Sequence, residues 1–157
     1  MKNYLKTSSI LFIILIAISC SAQKSINADK SLSITINQNF KDADEQYKIM
    51  MKELPPDKFP KTFENDSLQT SNSGWWCSGF YPGSLLYIYE QTKDTVLYNE
   101  AMRMLPLLAK EQYNKNTHDL GFMMYCSFGN AFRSDPNSEY KNILLNSARS
   151  LSKRFNP

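Results

Sequence analysis

The segment NTHDLGFMMYCSFGNAFR, residues 116–133, holds the residue types best suited to chemistry in this chain. It contains the only histidine of the sequence, His118, followed by Asp119 and then by a run of apolar and aromatic residues. An aspartate just ahead of a helix is a preferred N-cap, because its carboxylate accepts backbone N–H groups and interacts well with the helix dipole. That environment favours the ionised carboxylate, which suits an anchor, a nucleophile or an electrostatic partner better than a general acid. Asp119 therefore has two compatible interpretations, a helix cap and a catalytic group.

Acid–base chemistry on a sugar generally needs two carboxyl groups in different environments. Asp119 would be the charged member of such a pair, and its partner must lie elsewhere. His118 is more simply a residue that positions its loop through hydrogen bonds. His118 contributes to a functional site only if such a site lies at this end of the helix.

A second candidate feature is the pair Trp75 and Trp76, the only tryptophans of the chain. Large aromatic residues are mostly buried, so one of the two is expected to fill the core. Successive residues do not easily face the same way, and the other is expected to offer a stacking surface for a sugar ring. Trp76, nearer the following helix, is the candidate for substrate binding. Five other aromatic residues are expected to belong to the core: Tyr81, Tyr87, Tyr89, Tyr125 and Phe128.

The composition excludes several classes of protein. With 42% hydrophobic and 13% aromatic residues, the chain suits a globular domain. Without residues 1–19, 16 basic side chains face 15 acidic ones, so nucleic-acid binding has no support. One histidine and two distant cysteines, Cys77 and Cys126, do not make a metal site, and no cofactor is expected. These cysteines are either buried free thiols or a disulfide.

Residues 1–22 have the pattern of a secretion signal, with two lysines, an apolar stretch and small residues after it. The apolar stretch is short for a permanent membrane span. Its end, AISC, resembles a bacterial lipobox, which predicts lipidation of Cys20 and membrane anchoring; ordinary cleavage after Ala22 is the alternative. Either route predicts a periplasmic or cell-surface protein, with residues 23–35 as a polar tether.

In the rest of the chain, the spacing of apolar residues predicts helices, and no segment has the alternation expected of a strand. Residues 36–54 carry apolar side chains at three- and four-residue spacing, and two prolines end that helix. Residues 55–74 are expected to form a long loop. An apolar helix, an amphipathic one, a second apolar helix and a second amphipathic one follow. The first amphipathic helix carries Leu97, Ala101, Met104, Leu105 and Leu108 on one side. The runs AKEQ and SKRF are expected to be solvated helix ends.

A faint repeat accompanies this alternation. Gly79-Phe80 recurs as Gly121-Phe122, 42 residues later, and a period near forty is typical of stacked helical hairpins. Apolar helices would line the inside of a ring, and amphipathic helices would form its outer layer. The segments WWCSG and HD precede the two apolar helices, so both are expected at one rim of the assembly.

Two motifs, W-x-x-G-F-x-P-G from Trp76 to Gly83 and H-D-x-G-F from His118 to Phe122, resemble the N-terminal part of the unsaturated glucuronyl hydrolases, glycoside hydrolase family eighty-eight. The resemblance implies an all-α (α/α)6 toroid of helical hairpins with the site at one end of the inner helices. It implies removal of a 4,5-unsaturated glucuronic acid from the non-reducing end of oligosaccharides produced by lyases. An acid protonates the enol-ether double bond, water adds, and the resulting hemiketal opens.

The resemblance also implies residue roles. Asp119 matches one of two essential aspartates of the family; the other, the general acid/base, is expected beyond residue 157. His118 and Trp76 match positions that shape the substrate pocket. Residues 36–157 would form the first two to three of six hairpins. The chain is therefore expected to be an N-terminal fragment, inactive alone and poorly soluble because an incomplete toroid exposes an apolar face.

Two other functions are compatible with parts of the pattern. One is a non-catalytic helical-repeat module that binds glycans through aromatic rims. The other is an unsaturated rhamnogalacturonyl hydrolase, which the H-D-x-G-F motif disfavours. The parent polysaccharide, its linkage and its sulfation are not fixed by the sequence.

Overall fold

The computed structural model of the chain describes residues 30–155. The chain divides into two units, residues 1–35 and residues 36–157. The described part of the first unit, residues 30–35, is helical, and the second unit contains every other element described below. The predicted signal, the predicted lipidation site Cys20 and residues 23–29 of the predicted tether lie outside the described residues. None of the described helices combines the length and the apolar character that crossing a membrane requires.

Helices dominate the described residues, as the sequence predicts. The main helices are α1 (Lys30–Glu53), α2 (Phe80–Thr92), α3 (Thr95–Leu108), α4 (Leu120–Met124), α5 (Asn130–Ser134) and α6 (Ser138–Ser152). A 3-10 helix, Ala109–Tyr113, follows α3, and a π-helical turn, Tyr125–Gly129, joins α4 to α5. Two strands, β1 (Phe59–Glu64) and β2 (Ser67–Ser71), pair between α1 and α2.

The prediction that residues 55–74 form a long loop without strands is wrong, because β1 and β2 form a hairpin there. The strands are antiparallel, and Asn65 and Asp66 form the turn between them with φ of 50° and 57°. Positive φ at both central residues is the requirement of a two-residue hairpin turn. Seven of the eleven strand residues are polar, so no apolar alternation reveals the strands in the sequence. Phe59, which is completely buried, anchors the hairpin to the core.

The core lies where α2 and α3 pack against each other and against the segment that begins at Leu120. All five residues predicted for the apolar side of α3 are at most 2% exposed. The apolar face of α1 is also confirmed, since Leu54 is buried and five others pack on the core: Phe40, Ala43, Tyr47, Met50 and Met51. These contacts hold the N-termini of α2 and α4 in fixed positions.

The expectation of wholly buried apolar helices is correct only in part. Tyr81 and Phe128 are buried, whereas Tyr87 is 48% and Tyr125 72% exposed. The second apolar helix is also not continuous, because the π-helical turn interrupts it between Met124 and α5. Each apolar segment therefore has one side in the core and one side that presents aromatic rings to solvent.

A short turn joins α2 to α3 and ends at the N-cap residue Asp94. The Asp94 carboxylate accepts the N–H of Val96 at 2.8 Å and forms an ion pair with Lys48 of α1. The hydrogen bond from Lys48, followed by the one from the Val96 backbone, lowers the pKa of the Asp94 carboxyl below its usual range. One side chain thus caps α3 and ties it to α1.

Replacing Asp94 with asparagine is expected to retain the cap and remove the ion pair. Because the pKa of Asp94 is lower in the folded protein, its contribution to stability is complete above the unfolded-state pKa of about 3.9. That contribution disappears as the pH falls through the folded-state value. Urea denaturation should therefore show Asp94→Asn less stable than the wild type at about pH 7, with a difference that shrinks as the pH is lowered below about 3.9. An unchanged difference at both pH values would refute this role.

Candidate active site

Two glycines bring the two sequence motifs together. A Cβ atom on Gly79 would lie 2.0 Å from the carbonyl oxygen of Met123, and one on Gly83 would lie 2.3 Å from that of Cys126. Neither distance is possible for a real side chain, so the start of α2 can lie directly against the backbone of the segment from α4 only because both residues are glycine. Sequence reasoning missed this function; the available signal was their spacing of four residues, one helical turn.

An aromatic cluster forms where these segments touch, and it contains Trp76, Phe80 and Phe122. The ring centroids are 5.9 Å apart for Trp76–Phe80, 6.3 Å for Trp76–Phe122 and 6.0 Å for Phe80–Phe122. The three rings meet edge to face, which is a favoured geometry for aromatic pairs. All three are between 37% and 51% exposed. The predicted convergence of the two motifs on one rim is therefore present in the structure.

The sequence predicted one tryptophan in the core and one in the site. The structure does not show this division. Trp75 is 38% and Trp76 41% exposed, because the chain from Ser73 to Gly79 forms turns and α2 begins only at Phe80. Trp75 packs beside Trp76, with ring centroids 6.5 Å apart. Both indole rings therefore belong to the exposed rim.

Asp119 occupies the N-cap position of α4, but its side chain makes no capping hydrogen bond. Its backbone accepts the N–H of Met123 at 3.2 Å and donates to Thr117 Oγ1 at 3.0 Å. Its carboxylate is 23% exposed and lies 3.4 Å from Nε2 of His118, which is itself 82% exposed. The interpretation of Asp119 as a side-chain cap is therefore wrong, and the carboxylate stands at the rim with the imidazole as its neighbour.

A buried carboxylate, Glu111, connects the loops that carry the two motifs. It accepts hydrogen bonds from Ser73 Oγ at 2.6 Å and from Asn114 Nδ2 at 2.8 Å. Ser78 extends this network by donating to the Ser73 carbonyl at 2.7 Å. The prediction that AKEQ is a solvated helix end is wrong for Glu111, which is only 8% exposed. Its carboxylate positions the tryptophan loop relative to the loop that precedes His118.

The cysteines of the two segments are free thiols, so the disulfide alternative is not what the structure shows. Burial raises the pKa of the Cys77 thiol, and the negative charge of Asp119 raises it further, against a hydrogen bond from Trp75. Burial likewise raises the pKa of Cys126. Both thiols are protonated at neutral pH, and a protonated thiol is a poor nucleophile. Neither cysteine is therefore a candidate nucleophile.

A groove of about 630 Å³ lies between α1, the hairpin and the start of α2. Its lining is largely apolar, and it includes Phe80 but none of Trp76, His118 and Asp119. We place the candidate site at the rim because that is where ionisable and stacking groups occur together. Among residues 30–155, no group of three potential metal ligands is clustered.

Comparison with known proteins finds relatives in sequence and in fold. No family model matches the chain. Over 82 residues, 52% of this chain and 20% of the relative, it is 40% identical to an unsaturated glucuronyl hydrolase of Formosa agariphila. A solved unsaturated glucuronyl hydrolase specific for heparin is 38% identical, with a TM-score of 0.71 over 76% of this chain. A Streptococcus agalactiae unsaturated glucuronyl hydrolase variant, complexed with dGlcA-GalNAc6S, is 22% identical, with a TM-score of 0.69 over 78% of this chain, and supports the fold alone.

The chain spans 33% of the length of each of these two solved proteins. Its helices accordingly correspond to part of their helical toroid. The resemblance to the unsaturated glucuronyl hydrolases is confirmed, since the chain is similar to them in sequence and adopts part of their fold.

Proposed function

We propose that this chain is part of a glycoside hydrolase that removes 4,5-unsaturated glucuronic acid from the non-reducing end of oligosaccharides released by lyases. The observation that carries the proposal is the meeting of the Asp119–His118 pair with the exposed cluster of Trp76, Phe80 and Phe122 at one rim. A carboxylate beside aromatic faces suits a sugar ring, which stacks through its C–H face and reacts at its polar edge. The 38% identity to a solved unsaturated glucuronyl hydrolase supports the same assignment.

In this proposal Asp119 acts on the unsaturated ring together with a second carboxyl group supplied by the rest of the toroid. A proton is added at C4 of the enol ether, and water adds at C5. The hemiketal so formed opens and releases the remainder of the oligosaccharide. His118, 3.4 Å from the Asp119 carboxylate, orients that carboxylate, and Trp76 supports the sugar ring.

The same proposal includes the location of the enzyme. Lyase products arise where polysaccharides are degraded, outside the cytoplasm, and the AISC segment with Cys20 supports export followed by lipid anchoring. Incorporation of labelled fatty acid into the wild type, and its loss in Cys20→Ser, would test the anchor.

The catalytic proposal is tested by following the ultraviolet absorbance of unsaturated disaccharides, which disappears when the double bond is hydrated. A protein containing these residues together with the rest of the toroid should bleach this absorbance and release the second sugar. Binding of the disaccharide without loss of absorbance would instead favour the non-catalytic glycan-binding module.

A further inference from the structure

Five basic side chains form a surface that neither the mechanism above nor the sequence motifs use. They belong to the 3-10 helix after α3, to the loop before His118, to α6 and to the turn after α6. All five residues are exposed. We call this surface the basic face, and its residues are Lys110, Lys115, Arg149, Lys153 and Arg154.

Hydrogen bonds hold the end of α6 against residues 110–116. Ser150 Oγ donates to the Gln112 carbonyl at 2.8 Å. Arg154 Nη1 donates to the Lys115 carbonyl at 2.9 Å. Because a guanidinium has five N–H donors, this bond can fix the position of Arg154 while other donors face a ligand. Cations from two distant parts of the chain are thereby placed on one surface.

The positive charge of the basic face is not neutralised by ion pairs among residues 30–155. None of its five side chains takes part in one there. The sequence has no acidic residue from Tyr140 to Phe155. The one acid within residues 110–116, Glu111, is buried and accepts hydrogen bonds from Ser73 and Asn114. A concentration of one sign of charge of this kind attracts ligands of the opposite sign.

A polar cleft of about 470 Å³ lies on the basic face, and Lys110, Tyr113 and Lys115 are among the residues that line it. The Tyr113 side chain is 64% exposed. An exposed ring offers its face to the C–H side of a sugar, and the two ammonium groups beside it suit carboxylate or sulfate groups. The cleft therefore fits an acidic sugar chain better than a small inorganic anion.

The basic face adjoins the rim that carries the candidate site. Lys115 precedes His118 by three residues. Leu151, near the end of α6, lines the same small apolar pocket as Leu120, the first residue of α4. A partner bound to the basic face therefore lies beside Asp119. A membrane surface in that position would obstruct the rim, whereas a polysaccharide chain would bring substrate to it.

We propose that the basic face binds the intact acidic polysaccharide and so keeps the enzyme where lyases release its substrates. This inference rests on the proposed function, because that function is what brings an acidic polysaccharide to the protein. The basic face is separate from the surface that receives the unsaturated end. Its ligand is the interior of the polymer, which it recognises by charge density and not by a particular substituent.

The test is a binding titration of the full chain with fluorescently labelled polymers, followed by anisotropy. Three polymers of similar length are compared: heparin, which is a sulfated polyuronate, alginate, which is an unsulfated one, and dextran, which is neutral. The wild type should bind both polyanions at least about 10-fold more tightly than dextran, and heparin most tightly because its charge density is highest. Binding should weaken as salt is raised, because the charges are exposed and the polyanion releases counterions.

The triple exchange Lys110→Gln, Lys115→Gln and Lys153→Gln should weaken the binding of both polyanions about 10-fold, and the remaining binding should depend less on salt. The hydrogen bond from Arg154 is retained in this variant, because its acceptor at Lys115 is a backbone carbonyl.

The matched control causes the same change in net charge outside the basic face. It replaces three exposed lysines with glutamine, two on α1 and one in the first half of α6: Lys41, Lys52 and Lys141. None of these lysines forms an ion pair within the part of the chain that the structure describes. The control should bind both polyanions within about 2-fold of the wild type.

The inference is overturned if dextran binds as tightly as the polyanions, or if the control has the same effect as the triple exchange. Displacement of the polymers by an unsaturated disaccharide would also overturn it, because binding would then lie in the candidate site. Tighter binding to vesicles of phosphatidylglycerol and phosphatidylcholine than to either polyanion would assign the basic face to a membrane surface instead. The proposed function fails separately, in the turnover of unsaturated disaccharide by the complete toroid, which the triple exchange should leave within about 2-fold.

Discussion

Asp119→Asn, introduced into a protein that carries these residues with the rest of the toroid, is expected to reduce turnover of unsaturated disaccharides at least ~1,000-fold. Asparagine has nearly the same shape as aspartate but cannot carry a negative charge or transfer a proton. Because the Asp119 side chain makes no capping hydrogen bond, the exchange should alter the free energy of unfolding by less than about 0.5 kcal/mol. Turnover and unfolding are measured on the same preparation, by the loss of ultraviolet absorbance and by urea denaturation.

The matched control is Asp135→Asn, which changes the same chemical group at an exposed position beyond the end of α5. It should leave turnover within about 2-fold of the wild type. Substrate affinity of Asp119→Asn, measured with the inactive variant, should change much less than turnover. Loss of activity that accompanies loss of folding would instead show that Asp119 has a structural role.

Gly79→Ala is expected to lower the free energy of unfolding by about 2–4 kcal/mol and to separate the two motifs. The backbone of Gly79, with φ of −73° and ψ of −19°, is one that alanine adopts without strain, so the effect is purely steric. The new Cβ would overlap the carbonyl oxygens of Met123 and Phe122, 2.0 Å and 2.6 Å away. Both are backbone atoms, and relief requires α2 to move away from α4.

Gly121→Ala provides the comparison, because the added Cβ would meet no atom within 4 Å. In helix α4 this exchange should be neutral or stabilising by up to about 1 kcal/mol, as alanine is the better helix former. Urea denaturation compares the two variants, and the fluorescence of Trp76 reports whether the aromatic cluster opens. Equal stabilities of the two variants would show that the close approach of the backbones does not hold the motifs together.

The helices could be predicted because their apolar residues recur with the helical period. The apolar side of α3, from Leu97 to Leu108, was predicted residue by residue, and the core contains all five positions. The hairpin could not be predicted, because its strands are mostly polar and its turn, Asn65-Asp66, lacks the glycine that usually marks such turns. The π-helical turn was missed because one additional residue hardly disturbs an apolar pattern.

The meeting of Trp76 with the segment after Asp119 was predictable, since both motifs precede inner helices of a repeat. The residues that hold these two segments together could not be predicted. Glu111 has the sequence context of a solvated helix end, and its burial depends on Ser73, 38 residues earlier in the chain. Lys61 and Trp75 meet only because a hairpin folds back on the tryptophan loop. Contacts of this kind depend on tertiary structure, which local periodicity does not encode.

The π-helical turn, Tyr125–Gly129, determines how far α5 is rotated about the helix axis relative to α4. Each residue advances an α-helix by about 100°, so one additional residue in a single wide turn rotates the later part by about that angle. Shortening the turn by one residue would leave α4 facing the rim and swing α5 around the helix axis, away from its contacts with α2 and α6. The orientation of α4 at the rim and the packing of α5 against α2 and α6 can thus change independently of each other.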